Sequence, residues 1–132
     1  ELEGCCNVKF FDGMKYKEFF SLASACDCGM IFLFKGYHVP NIPGKLNTYL
    51  NAEIPIIACV DNYTDAGEII ERGNAGISVP SGDEKAFRDA VMRMLDSEQR
   101  MSMKKAAKKL LLENYTPDKV VGIVEKKIST LK

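Results

Sequence analysis

Short apolar runs alternate along the chain with segments in which apolar residues recur at helical spacing. Apolar runs typical of strands occur at residues 7–11, 28–34, 55–60 and 76–79. Helical spacing predicts six helices, at residues 16–25, 43–52, 66–72, 84–95, 98–114 and 117–131. Asp83 is placed to cap the fourth helix, and Pro117 falls in the first turn of the last, where proline is tolerated.

The apolar face of the fourth helix is expected to be turned inward, and the last helix carries an apolar stripe. In the fourth helix this face consists of Phe87, Ala90, Val91, Met94 and Leu95. In the last helix it is a stripe of Val120, Val121, Val124 and Ile128.

The order of these elements predicts the fold class. Strands that alternate with helices favour a parallel sheet covered on both faces, and right-handed crossovers make it a doubly wound, Rossmann-like α/β layer followed by C-terminal helices. The run at 28–34 is continuous, which is typical of a strand buried on both faces. We expect one domain over residues 1–132. Because four parallel strands make a small sheet, we also expect that earlier strands of the same fold are missing from this chain.

Composition places the chain among globular proteins. Of its 132 residues, 46% are hydrophobic and 27% are charged, which is an ordinary balance. No apolar run approaches the roughly 20 residues of a membrane span, and the first residues lack a signal-peptide pattern, so a cytoplasmic location is expected. The five cysteines lack paired C-x-x-C spacing, so we interpret them as core residues and expect no metal site.

Charge is unevenly distributed although the formal net charge is zero. Residues 1–100 carry a net charge of −5 and residues 101–132 a net charge of +5. Lysines at 104, 105, 108 and 109 follow helical spacing and predict a solvated face. Nucleic-acid binding is not expected, because arginine is absent after Arg100. Contact with the inner face of a membrane is the alternative role for this basic region.

The candidate binding site is the start of the second helix. Ligands of open parallel sheets bind beyond the carboxyl ends of the strands, and residues 41–45 lead from such an end into a helix. Pro43 presets the first helical turn, Gly44 permits close approach to the backbone, and Lys45 adds a positive charge. With Leu46 and Thr48, these residues predict a site for a phosphate or diphosphate. The alternative is that Pro43 and Gly44 only start the helix and that Lys45 is solvated.

Two further features lie near this site. Residues 61–65 form a neighbouring rim in which Thr64 or backbone amides are candidates for ligand contact, although an ordinary acidic loop is the simpler interpretation. His38 is the sole histidine of the chain, and we interpret it as a solvent-exposed bystander rather than a catalytic base.

In this order, several segments resemble the C-terminal domain of group 1 (family 4) glycosyltransferases of the GT-B fold. The segments are NVKF at 7–10, ASACDCG at 23–29, PGKLNTYLNAEIPIIA at 43–58, NAGISVPSGD at 74–83 and ENYT at 113–116. The resemblance therefore covers most of the chain, although each motif alone is weak.

This resemblance implies a retaining transfer of a sugar from a nucleotide diphosphate sugar, which we expect to be a UDP-sugar, to a glycan or lipid-linked acceptor. Gly44 and Lys45 match the small residue and lysine that hold the diphosphate in part of the family, and many relatives need no metal ion. Gly13 and Met14 fall in the loop that receives the nucleoside base. The resemblance also implies an N-terminal acceptor domain outside this chain, so the fragment alone is expected to be inactive.

The sequence departs from the family at two glutamate positions. Thr48 stands where relatives bind the ribose with a carboxylate, and Pro40 stands at the earlier glutamate of the same pattern. A hydroxyl makes fewer and weaker hydrogen bonds than a carboxylate. A regulatory or scaffold domain with a degenerate nucleotide site is therefore the second functional hypothesis. A receiver-like signalling domain ranks third, because Phe34 and Lys35 end the central strand where an aspartate would be required.

Overall fold

A computed structural model describes residues 5–131 as three strands and six helices. The strands are β1 (Gly29–Phe32), β2 (Ile56–Cys59) and β3 (Gly76–Val79). The helices are α1 (Tyr16–Ser24), α2 (Gly44–Asn51), α3 (Ala66–Arg72), α4 (Glu84–Met94), α5 (Ser97–Asn114) and α6 (Pro117–Ser129).

The strands form one parallel sheet in the order β1-β2-β3. Gly29 pairs with Ile56, and Ile56 pairs with Gly76 at the start of β3. A Cβ atom at Gly76 would lie 1.9 Å from the Ile56 carbonyl oxygen, so this position of the sheet requires glycine. The α/β class with a parallel sheet is thus confirmed.

The predicted first strand is wrong. Residues 7–11 are irregular, and the Val8 N–H donates to the Cys5 carbonyl at 3.3 Å in a local turn. Phe10 and Phe11 are 81% and 60% exposed. An apolar run becomes a strand only when a neighbouring strand satisfies its backbone groups, and within residues 5–131 no strand pairs with this segment. The described sheet therefore has three strands rather than four.

The two faces of the sheet carry different cores. Ile56 and Ala58 of β2 pack in one cluster with the buried residues of α2 and α3. The alternate residues Ile57 and Cys59 pack in a second cluster with α4. Both crossover helices, α2 and α3, thus cover the same face. The described strands lie side by side in the same order as in the chain. The strand order therefore contains no reversal within the described sheet.

Strand β1 lies at one edge of the described sheet and is buried on one face only. Gly29 and Ile31 are buried, whereas Met30 and Phe32 are 38% and 60% exposed. The prediction that the run at 28–34 is buried on both faces is therefore wrong. The continuous apolar pattern specified a strand but not the cover on its second face.

The predicted start residues of α4 and α6 agree with the structure better than the apolar faces predicted for these helices. Asp83 accepts a hydrogen bond from the Ala86 N–H at 2.8 Å, which confirms it as the cap of α4, and Pro117 is the first residue of α6. Leu95, predicted to be inward, is 66% exposed because α4 ends at Met94. The predicted apolar stripe of α6 is also exposed, and α6 contains no buried residue. None of the helices among residues 5–131 has the length and apolar character needed to cross a membrane.

The cysteines are less buried than predicted. Cys59 is buried in β2 and Cys28 is half-buried, but Cys5, Cys6 and Cys26 are exposed. Burial raises the pKa of the Cys28 thiol to about 11, and the thiol donates to the Gly29 carbonyl at 3.3 Å. Only Cys59 therefore behaves as the core residue that the pattern predicts for the whole set.

Candidate functional site

The carboxyl ends of the three strands meet at one edge of the sheet, and three loops follow them. These loops comprise residues 33–43, 60–65 and 80–83. An open cavity of about 530 Å³ lies beside the ends of β2 and β3, where Asp61, Tyr63 and Pro80 contribute to its lining. Its volume is within the range that small-molecule sites occupy.

Helix α2 begins at this edge with an uncapped N-terminus. Pro43 precedes the helix with φ −57° and ψ 127°, and no side chain caps the helix there. The Leu46 N–H donates to the Pro43 carbonyl at 2.9 Å, whereas the amides of Gly44 and Lys45 have no acceptor within residues 5–131. Two backbone donors are therefore available to a ligand.

The first turn of α2 is also the most electropositive of the helix starts. Each of the other five helices of the described chain has an acidic residue in its first turn, and α2 has none. Lys45 is exposed, and no ion pair within residues 5–131 involves it. The positive end of the helix dipole is thus reinforced by a lysine and is not neutralised by a local carboxylate.

The other predicted residues of this helix have different surroundings. A Cβ atom at Gly44 would meet nothing within 4 Å, so the space in front of the glycine is open. The Leu46 side chain is fully buried in the core, so it is not available to a ligand. Thr48 is half-buried, and its hydroxyl donates to the Gly44 carbonyl at 3.4 Å.

Gly13 and Met14 lie in the irregular segment before α1. Gly13 is exposed with nothing within 4 Å of a Cβ position, and Met14 is half-buried. No hydrogen bond of the described chain joins either residue to the start of α2. The structure therefore does not bring the predicted base-binding loop into hydrogen-bond contact with the predicted diphosphate site.

Side chains of the neighbouring loops hold the loop that leads into α2. The Gly36 N–H donates to the Asp61 carboxylate at 2.8 Å, and Gly36 has a φ of +81°, a conformation that favours glycine. The Thr64 hydroxyl donates to the Asn41 carbonyl and accepts from the Ala66 N–H at 3.2 Å. We call the hydrogen bonds of Gly36 with Asp61, of Thr64 with Asn41 and of Ser81 with Leu33 the loop ties.

The third tie connects the start of the same loop with the loop after β3. There the Ser81 hydroxyl donates to the Leu33 carbonyl, and Ser81 is buried. Sequence reasoning identified Thr64 only as a candidate ligand contact and missed Asp61 and Ser81 as structural residues. Their partners are 25 and 48 positions away, so local patterns contain no signal for them.

Three further side chains lie near the loop ties. The Asn41 side-chain oxygen is buried and has no hydrogen-bond partner within the described residues. The rings of His38 and Tyr63 lie 4.2 Å apart with an edge-to-face angle of 82°, and both residues are exposed. His38 therefore packs against the rim of the site as an aromatic ring.

The arrangement can bind an anion through two amides and an ammonium group. Within residues 5–131, no group of three or more His, Cys, Asp or Glu side chains is placed to hold a metal ion. Comparisons with models of protein families, with curated proteins and with solved structures found no match.

Proposed function

We propose that this chain is the donor-binding domain of a retaining glycosyltransferase of the GT-B fold, with a doubly wound, Rossmann-like architecture. The observation that carries the proposal is the first turn of α2, which lies at the carboxyl end of the sheet, lacks an acidic residue, and combines two available amides with Lys45. A diphosphate is the ligand best suited to this arrangement, because phosphate oxygens accept from amides and from lysine.

In this proposal the diphosphate of a UDP-sugar contacts the amides of Gly44 and Lys45, and the Lys45 ammonium neutralises part of its charge. No metal ion is required for this binding mode. The cavity of about 530 Å³ beside the ends of β2 and β3 opens at the same edge of the sheet, and we propose it as the place of the sugar or nucleoside. In this proposal Gly13 and Met14, in the segment before α1, contact the base.

The surface of β1 supports a larger fold around this domain. Met30, Phe32 and Phe34 expose apolar area on the face and end of an edge strand. Additional strands of the same sheet would pair with the edge of β1, and an acceptor-binding domain would cover its exposed apolar side chains. The proposed enzyme is therefore a larger chain, acting in the cytoplasm on a glycan or lipid-linked acceptor, and this domain alone would bind the donor without transferring the sugar.

A regulatory or scaffold domain with a degenerate nucleotide site is the second candidate function. The Thr48 hydroxyl favours it, because this hydroxyl donates to the Gly44 carbonyl of its own helix and offers no carboxylate to a ribose. Activity of the intact parent enzyme with a nucleotide sugar would exclude this candidate.

Calorimetric titration of the 132-residue chain with UDP, GDP and UDP-sugars tests nucleotide binding. We expect binding of at least one diphosphate and a loss of affinity of about tenfold or more in Lys45→Ala, because hydrogen bonds to charged groups contribute about 1.5–3 kcal/mol. Lys85→Ala is the matched control, since Lys85 is the second residue of α4 as Lys45 is of α2. The proposal fails if no nucleoside diphosphate binds, or if both variants bind as the unchanged chain does.

A further inference from the structure

Helix α6 has an apolar face that the rest of the domain leaves uncovered. Five aliphatic side chains of this helix are between 50% and 66% exposed, namely Val120, Val121, Ile123, Val124 and Ile128. Monomeric domains seldom leave a contiguous set of aliphatic residues in water, because each one buried elsewhere would contribute stability. This face therefore indicates a surface that is covered in use.

The distribution of residues around α6 resembles that of a helix at a polar–apolar boundary. At 3.6 residues per turn, the arc from Ile123 through Val124 to Val121 spans about 160°. Lys127 lies inside this arc, whereas Asp118 and Glu125 lie on the opposite side. A lysine within an apolar face can extend its ammonium group toward charged headgroups while its methylene chain stays among apolar groups.

The immediate surroundings of the apolar face are basic. A shallow groove of about 550 Å³ along α6 is lined by Ile123, Val124 and Ile128 together with Lys126 and Lys127, and no acidic residue lines it. Residues 101–132 as a whole carry a net charge of +5, against −5 for residues 1–100. Lys126 and Lys127 thus lie beside the uncovered aliphatic side chains, a combination that is complementary to an anionic surface with an apolar interior.

We propose that α6 binds the surface of an anionic lipid bilayer. The helix lies parallel to the bilayer plane, its five aliphatic side chains enter the boundary between headgroups and acyl chains, and Lys126 and Lys127 contact anionic headgroups. This surface is separate from the start of α2, so the proposal does not depend on nucleotide binding.

Co-sedimentation of the full 132-residue chain with lipid vesicles tests the proposal. One set of vesicles contains phosphatidylcholine alone, and the other contains phosphatidylcholine with phosphatidylglycerol. We expect binding to the anionic vesicles only, with loss of binding as salt rises from about 0.1 M to about 1 M and the screening length shortens from about 10 Å to about 3 Å.

Two double substitutions distinguish the loss of the apolar face of α6 from a general effect of added negative charge. Val124→Glu with Ile128→Glu should lower the vesicle partition coefficient about tenfold or more, since each buried aliphatic residue contributes that much on transfer from water. The control, Met92→Glu with Met101→Glu, adds the same charge at residues of α4 and α5 that are 61% and 55% exposed, and should retain most of the binding. Circular dichroism should show both variants folded, because none of the four side chains is buried.

Three results would overturn the proposal. The first is an absence of binding to anionic vesicles at low salt, and the second is equal loss of binding in the α6 variant and its control. The third is a dimer in analytical ultracentrifugation that the α6 substitutions dissociate, because a second copy of the chain would then be the occupant of this face.

Discussion

Gly44→Ala separates a residue that merely begins a helix from one that must leave room for a ligand. A Cβ atom at Gly44 meets nothing within 4 Å, and its φ is not among the positive values of the chain. The substitution therefore creates no clash in the protein. Alanine also loses less conformational entropy on folding, so the free energy of unfolding should rise by about 0.5 kcal/mol.

The same substitution should weaken a bound diphosphate. A methyl group at Gly44 would fill the open space in front of its Cα, and a phosphate seated in that space would be displaced from the amides of the first turn. Loss of one charge-assisted hydrogen bond amounts to about 1.5–3 kcal/mol, which corresponds to about 10–150-fold in the dissociation constant. Stability and affinity should thus change in opposite directions.

Urea unfolding and calorimetric titration with UDP measure the two effects on the same variant. Gly122→Ala is the matched control, because a Cβ at Gly122 in α6 also meets nothing within 4 Å, and this change should raise stability without altering affinity. Unchanged affinity in Gly44→Ala, with binding intact in the parent chain, would refute the assignment of this glycine to the ligand and favour simple helix initiation.

Three further substitutions test the fold and its pH dependence. Gly76→Ala should destabilise the domain by about 3 kcal/mol in urea unfolding, since its Cβ would lie 1.9 Å from the Ile56 carbonyl oxygen; near-normal stability would contradict the pairing at this position. Thr64→Val keeps the shape of a buried side chain but leaves the Asn41 carbonyl without this donor. The free energy of unfolding measured in urea should therefore fall by about 1–3 kcal/mol. An unchanged value would show that this loop tie is dispensable. Burial raises the pKa of Cys28 from 9.0 to about 11, so the folded state retains a proton that the unfolded state loses, and stability should be full below pH 9 and fall between pH 9 and about 11. Cys28→Ala should reduce this decline, measured as the unfolding midpoint across that pH range, and an identical decline in both proteins would exclude this thiol as a cause.

Local sequence signals were sufficient where residues that start or end a helix or strand flank the element. Helix α3 and strand β3 occupy the predicted residues, because Gly73 and Asn74 end the helix and Pro80 ends the strand. Asn74 has a φ of 49°, the left-handed conformation common just after a helix. The cap at Asp83 was predictable for the same reason.

Features that depend on distant partners were not predictable from patterns. The run at 7–11 has the composition of a strand, yet a strand exists only if another one pairs with it. The stripe of α6 indicated an amphipathic helix, but periodicity does not reveal whether anything covers that face. In the candidate site, the start of α2 was predictable from Pro43 and Gly44, whereas the tie from Asp61 to Gly36 depends on the packing of two loops.

Helix α5 contacts both cores of the domain. Met103 belongs to the cluster on one face of the sheet, and Ala107, one turn later, belongs to the cluster on the other. Neither half of the core can therefore be exposed to water without disturbing a helix on which the other half depends. Amide hydrogens of α2 and α4, on opposite faces, should accordingly exchange through one shared opening event, so that the small sheet unfolds as a single cooperative unit.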